Sequence, residues 1–548
     1  MGRNHGCPFA ALPSGEFPEL PRMHLGMPLH RTHFLAAALA CAVTAATLTG
    51  CAVGPDYRRP DTASAASYKE IPAGWKTAEP ADRADRGPWW SIYDDPRLSA
   101  LMDQLDASNQ TVAQYAAAYR QARALVAEAR AAYFPTLGLS ASASRSGQQF
   151  SRSGSLGSTG AGAGTRSGVG NVFSASLDAS WEPDLWGKVS RTVAAQRAGE
   201  QGAAADLANA RLSAQATLAQ TYFQLRALDA LQQLLDDTVS AYAEALKLTQ
   251  NQYAQGIVAR SDVIQAQTQW QSAQAAAIDN GVARAQDEHA IAVLVGRSPS
   301  AFSIPSIPLD AEPPSVPVDV PSALLERRPD IAAAERRTAA ANEQIGVAIS
   351  AYFPSLTLSA QGGYQNSVLS QLFTLPSRFW SVGPELAATL FDAGLRRAQT
   401  QAARAAYDSQ VATYRQTVLG AFQEVEDALA SQRILAQEVV IQRQAVDSAK
   451  QALAIVTNEY KAGTVAYVSV LTAQTTAFSA EQKLANLAGQ RMTSSVGLVK
   501  ALGGGWSVAQ IDRENGGAAA PSGPASAASA TQASGAQAAS ASEGARSD

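Results

Sequence analysis

Hydrophobic positions recur along this chain with two different periods. From residue 136 to 143 apolar and polar side chains alternate: Leu137, Leu139, Ala141 and Ala143 share one face, and Thr136, Gly138, Ser140 and Ser142 the other. The alternation returns with Phe173, Ala175, Leu177, Ala179 and Trp181 against Ser174, Ser176, Asp178 and Ser180. It appears again in Leu356, Leu358 and Ala360, and in Val382, Leu386, Ala388 and Leu390 opposite Ser381, Glu385 and Thr389. Period two predicts strands. Segments of about ten residues with Ser, Asp and Glu on one face suit tilted membrane strands whose other face meets lipid. From Ser144 to Val172 the chain is mostly Ser, Gly, Ala and Arg, which predicts an exposed, mobile loop between the first two strands.

The other period is helical. Leu228, Leu231, Leu235, Val239, Tyr242 and Leu246 follow gaps of three and four, and no proline interrupts Ser190 to Tyr253 or Arg397 to Tyr460. Each stretch could reach roughly 95 Å as one helix, which implies a coiled-coil or tubular array rather than an ordinary core. Each ends at a Tyr-x-x-Gly turn, Tyr253 to Gly256 and Tyr460 to Gly463, where glycine can take the left-handed conformation that closes a helix. A second helix then runs back, with Asp262 expected to cap the first one and Gln265 at the capping-box position.

These elements form two copies of one unit. Ala132-Tyr-Phe-Pro-Thr-Leu-Gly-Leu-Ser140 reappears as Ala351-Tyr-Phe-Pro-Ser-Leu-Thr-Leu-Ser359. Tyr253-Ala-Gln-Gly256 matches Tyr460-Lys-Ala-Gly463, and Val263-Ile-Gln-Ala-Gln-Thr268 matches Val470-Leu-Thr-Ala-Gln-Thr475. Three matches in the same order point to duplication, with repeats at 99–302 and 322–506 joined by a Pro-rich linker at 303–321. The Ala/Ser/Gly tail at 507–548 cannot bury a core and is expected to be disordered.

At the other end, Leu48-Thr-Gly-Cys51 follows a short apolar run from Phe34 to Leu48 with Arg31 upstream. The run is too short to span a bilayer and reads as a signal peptide at 27–50, with 1–26 a start-site extension. The tetrapeptide resembles a bacterial lipobox, in which Cys51 becomes the acylated first residue of a segment at 51–98.

Composition removes most chemistry. Of 3 Cys and 5 His, only Cys51 and His289 lie beyond that cut, so no internal disulfide and no Cys/His metal cluster is expected. A lone His289 within a helix offers no triad, so neither catalytic residues nor a cofactor site is assigned. A net charge of -4 and a pI near 5.9 argue against nucleic acid as a partner.

Cys51-Ala-Val-Gly-Pro-Asp-Tyr-Arg-Arg-Pro60, Trp89-Trp90, Asp95-Pro-Arg-Leu98, Leu324-Leu-Glu-Arg-Arg-Pro-Asp-Ile331, Ala421-Phe-Gln-Glu-Val-Glu-Asp-Ala428 and Leu502-Gly-Gly-Gly-Trp506 resemble the TolC-family efflux lipoproteins, in their NodT-like branch. The resemblance implies a mixed α and β, TolC-like fold whose two repeats give four transmembrane β-strands and long coiled-coil helices. Four strands cannot close a barrel, so a homotrimer with a 12-stranded β-barrel continuous with an α-helical periplasmic tunnel is expected. The family further implies an outer-membrane exit duct for small molecules, lipid-anchored in a Gram-negative bacterium and working with a periplasmic adaptor protein and an inner-membrane RND-type pump. Two alternatives share parts of this pattern: a type I protein secretion channel and a coiled-coil envelope structural protein.

Single residues take their expected places within that frame. Asp178 and Glu385, on polar strand faces, are candidate pore-lining charges. The turns with Tyr253, Gly256, Tyr460 and Gly463 are the expected periplasmic tips, where adaptor docking and gating would take place. The family often carries an Asp at the aperture; here that position is Thr472 and its copy-one equivalent Gln265, so apolar Val468 becomes the candidate constriction. Arg327 and Arg328 are expected to anchor the linker, and at least one of Glu424, Glu426 and Asp427 to contact another helix.

Overall fold

The computed structural model describes residues 52–62, 68–70, 88–149, 167–316 and 327–504. Cys51, the signal region, the tail and most of the Ser/Gly-rich stretch expected to be mobile lie outside these residues. After a short 3-10 turn at Trp89–Tyr93, the order is α1 (Pro96–Ser108), α2 (Gln110–Ala131), β1 (Thr136–Gln149), β2 (Ser167–Trp181), α3 (Lys188–Ala254) and α4 (Arg260–Leu294). The second copy repeats it: α5 (Pro329–Ser350), β3 (Ser355–Asn366), β4 (Arg378–Ala387), α6 (Leu395–Lys461) and α7 (Tyr467–Ala501).

The duplication is exact in length for the helices. α3 and α6 have 67 residues each, α4 and α7 35 each, and α2 and α5 22 each. At 1.5 Å per residue the long helices run about 100 Å. Both start the same way: an aspartate ahead of the first turn accepts from amides at the helix start. Asp184 takes Val189 N (3.0 Å) and Ser190 N (2.7 Å), and Asp392 takes Gly394 N (3.0 Å) and Arg396 N (3.2 Å). Asp262 does not cap α4. Ala259 holds that position without a side-chain bond, and Asp262, one turn in, accepts from Ser261 Oγ instead.

The strands form one antiparallel sheet in the order β1-β2-β3-β4, which leaves β1 and β4 as edges. Two strand limits differ from the sequence pattern. Pairing of β1 with β2 continues past Ser144↔Val172 to Gln149↔Ser167, because backbone ladders form regardless of how small the side chains are. β4 stops at Ala387, so Ala388 and Leu390 lie beyond it, and Leu390 is 95% exposed. Leu137, Leu139, Leu177, Trp380 and Val382 stand exposed on one face of the sheet, and the hydroxyl-rich rows occupy the other.

The helices pack side by side in two tiers. Nearer the strands the order is α2-α3-α5-α6; farther away it is α4-α3-α7-α6. Midway, a buried cluster joins α1, Trp89, Trp90 and Tyr68 to Leu218, Tyr222 and Leu225 of α3, Tyr414 and Leu429 of α6 and Val496 of α7. The Pro-rich linker is strapped onto this belt. Fully buried Asp229 accepts from Arg284 Nε (2.7 Å), Arg226 Nη1 (3.3 Å), Ser306 Oγ (2.9 Å) and Ile307 N (2.9 Å). Beyond it Glu312 pairs with Arg443 (2.9 Å). Arg328 anchors the other end on Asp330, Glu424 and the Ala501 carbonyl.

Candidate functional site

Only the polar face of the sheet can line a water-filled pore. Asp178 lies opposite Gly138 on one side and Gln361 on the other, in a row that ends at Ser381. Its carboxylate accepts from Ser140 Oγ (2.8 Å) and Ser176 Oγ (3.3 Å), and Ser176 also accepts from Gln361 (3.4 Å). Three strands thus hold one carboxylate on a hydroxyl and amide network. Glu385 faces the same way but pairs across from Thr357, beyond the level where β2 ends at Trp181↔Leu358. The two acids therefore sit at different heights on the sheet and are not brought together.

At the far end both Tyr-x-x-Gly turns close alike. Gly256 and Gly463 have φ of +74° and +76°. In each turn the next amide reaches back across the helix end, Ile257 N to Gln252 O (2.9 Å) and Thr464 N to Glu459 O (3.0 Å). The tyrosines do not behave alike. Tyr253 is 46% exposed, whereas Tyr460 is buried and donates to Gln252 Oε1 (2.8 Å) of the first copy. Tyr460 packs edge-on against Tyr467, and both join Leu246, Ala266 and Val470 in a small core that ties the two hairpins together. Burial, together with the neighbouring Tyr460, Tyr242 and Asp262, pushes the Tyr467 hydroxyl up to about 12. The two turn sequences are equivalent in the repeat. The difference arises because α3 of copy one and α7 of copy two pack directly on each other, which only the tertiary arrangement creates.

The candidate aperture residues lie just inside these tips. Gln265 and Thr472 are exposed, and Val468 is 54% exposed. The Thr472 hydroxyl donates to the Val468 carbonyl (2.9 Å). Asp262, expected only as a cap, is the acid that lies close enough to act on the Tyr460 and Tyr467 hydroxyls.

The segment from Ala52 to Tyr57 is equally defined. A Cβ on Gly187 would meet Ala52 Cα at 2.8 Å, so the residue next to Cys51 lies against the start of α3, just after β2. Val53 N donates to Trp186 O (3.2 Å), Arg191 holds the Pro55 carbonyl (3.2 Å), and Tyr57 donates to Glu335 (2.6 Å). Farther on, the Lys69 and Glu70 amides donate to Glu426. Glu424 thus meets the Arg328 cap of α5 and Glu426 the Lys69–Glu70 turn, while the Asp427 carboxylate accepts from Gln423 on its own helix. Among the described residues no group of His, Cys, Asp and Glu is placed to hold a metal, and no helix is long and apolar enough to cross a membrane. His289 is exposed on α4.

Comparison with known proteins agrees with this geometry. The family model of outer membrane efflux proteins matches residues 101–297 and 320–504. The probable efflux pump outer membrane protein TtgC of Pseudomonas putida is 32% identical over 472 residues, covering 85% of this chain and 95% of TtgC. The solvent efflux pump outer membrane protein SrpC of Pseudomonas putida is 33% identical over 467 residues, covering 84% of this chain and 97% of SrpC. Among solved structures, the outer-membrane channel OprN superposes with a TM-score of 0.75 at 30% identity, covering 83% of this chain and all of OprN. Two matched repeats, a four-stranded sheet with one apolar face and paired 67-residue helices make this chain a TolC-like member of the outer membrane efflux protein family, a channel of the outer membrane.

Proposed function

We propose that this efflux channel works as a lipid-anchored homotrimer, the passive exit duct between a periplasmic adaptor with an inner-membrane RND-type pump and the cell exterior. The observation that carries the trimer is that every layer of the protomer has two open sides. The sheet ends in β1 and β4, the upper helical tier (nearer the strands) in α2 and α6, and the lower tier (farther from them) in α4 and α6. Unpaired strand edges cannot face lipid, because each unsatisfied amide or carbonyl there costs several kcal/mol. Four strands per chain close only when neighbours complete the sheet, and three chains supply 12. Apolar side chains stand on both lower edges: Ile278 (77% exposed) and Val282 on α4, and Ile434 and Ile441 on α6.

The contact of Ala52 with Gly187 supports the anchor, since it holds the residue that follows Cys51 in sequence at the level where strands give way to helices. The tips at Gly256 and Gly463 take the adaptor, six per trimer, and the ring formed by Val468 with Gln265 and Thr472 narrows the closed duct. Asp178 and Glu385 bias the ions that pass the barrel. Detergent-extracted protein cross-linked through Ile278→Cys with Ile441→Cys tests the assembly. A covalent trimer is expected, and a stable monomer with full strand content overturns the shared barrel.

A further inference from the structure

The two hairpins at the outer end of the sheet have diverged, and the difference matches the membrane. β1 and β2 have 14 and 15 residues and are joined through a stretch rich in Ser and Gly. β3 and β4 have only 12 and 10, and β4 is no longer than the roughly 9–11 residues that a tilted strand needs to cross the hydrocarbon. The first hairpin therefore rises clear of the bilayer, while the second turns over at its surface.

The connection from Ser367 to Ser377 is built for that depth. Val368, Leu369, Phe373 and Leu375 are 46%, 62%, 73% and 80% exposed, beside buried Leu372. Much of its polar inventory is satisfied within the loop. Asn366 accepts from Val368 N (2.9 Å) and donates to Ser377 Oγ (2.6 Å), while Ser377 and Thr374 hydroxyls both donate to Gln371 O (2.9 and 2.7 Å). A polar group left unpaired against hydrocarbon costs several kcal/mol, so this pairing within the loop lets it sit at the bilayer surface. The loop also has a direction. Phe373 packs edge-on against Tyr364, with ring centroids 5.6 Å apart. Tyr364 lies across from Ala175 and Arg378, in register with the apolar face of Leu139, Leu177 and Trp380 rather than with the hydroxyl-rich face. The loop thus leans away from the pore. Arg378, exposed on that same face, makes no ion pair among the described residues, and a cation at this height suits a lipid phosphate.

We propose that the β3–β4 loop is a membrane-seated anchor, with Phe373, Leu375 and Leu369 in the outer leaflet and Arg378 at its headgroups. It rests on the barrel reading above. The test places nitroxide labels on the full-length protein at Phe373→Cys, Leu375→Cys, Leu139→Cys and Ser142→Cys, in phosphatidylethanolamine/phosphatidylglycerol vesicles. Wild-type protein labelled in parallel gives the background from native cysteines. Collisions with oxygen, which enriches in lipid, are compared with those of a water-soluble nickel chelate. Labels at 373 and 375 should lose nickel broadening to the level seen at 139, while 142 keeps it. If 139 is shielded but 373 and 375 broaden as 142 does, the loop faces water or the pore and the anchor is refuted with the barrel intact. If 139 broadens too, both fail.

Discussion

Replacing Gly463 with valine tests the claim that the helical tips act as rigid docking points. A Cβ built at Gly463 or Gly256 meets nothing within 4 Å, so sterics against neighbours contribute nothing. The penalty is conformational: φ near +75° puts Cβ close to the following carbonyl, costing about 1–2 kcal/mol per residue, with β-branching at the upper end. Each tip's reversed bond, Thr464 N to Glu459 O or Ile257 N to Gln252 O, depends on that geometry. The small core around Tyr460, Tyr467 and Leu246 lies immediately behind it. Gly463→Val should therefore distort the tip without touching the sheet or the central belt. Efflux of a reporter drug should fall in cells carrying Gly463→Val, fall further with Gly256→Val added, and recover with Gly463→Asn, because asparagine tolerates the left-handed region. Trimer recovery should stay at the wild-type level throughout. Normal efflux in both single variants and the double variant would refute the assignment of docking and gating to these turns. Lost trimers would refute the claim that they are structurally independent of the barrel.

The linker strap gives a stability prediction. Asp229→Ala leaves Arg226 and Arg284 buried or half-buried without their acid and should destabilise the protein by about 3–5 kcal/mol in denaturant unfolding, with earlier proteolysis near Ser306. A loss below about 1 kcal/mol would mean that the network is not structural. Asp287 offers a pH test: burial raises its carboxyl pKa, and Oδ2 has no hydrogen-bond partner among the described residues. A raised carboxyl contributes stability in full below its ordinary range and loses it as pH rises through the elevated value. Asp287→Asn should thus melt higher than wild type at neutral pH, with the gap closing as pH falls toward 4; a pH-independent gap would contradict this account. Mass spectrometry of purified protein should find an N-terminal acylated Cys51, and an unmodified terminus elsewhere would remove the lipid anchor.

Much of this molecule is written in local order. Alternation at 137–143, 173–181 and 356–360 marks the lipid and pore faces because consecutive strand residues point to opposite sides. Uninterrupted helical spacing from Ser190 and Arg397, closed by Gly256 and Gly463, gives the two long helices within a few residues. The duplication then gives helices of equal length in both copies. What sequence could not supply is any contact between distant segments. The weakly apolar stretch 144–149 becomes strand because β2 offers it a partner, not because its own side chains prefer one. Asp229 reads as an ordinary helical acid until the fold sets Arg284 and Ser306 against it from 55 and 77 positions away. Tyr253 and Tyr460 occupy the same place in the repeat, yet one is exposed and the other locked to Gln252. Equivalent sequence gives equivalent local structure, but which copy lies over the other is settled by packing, where each helix can bury its small-residue face only against a neighbour that the chain order does not name.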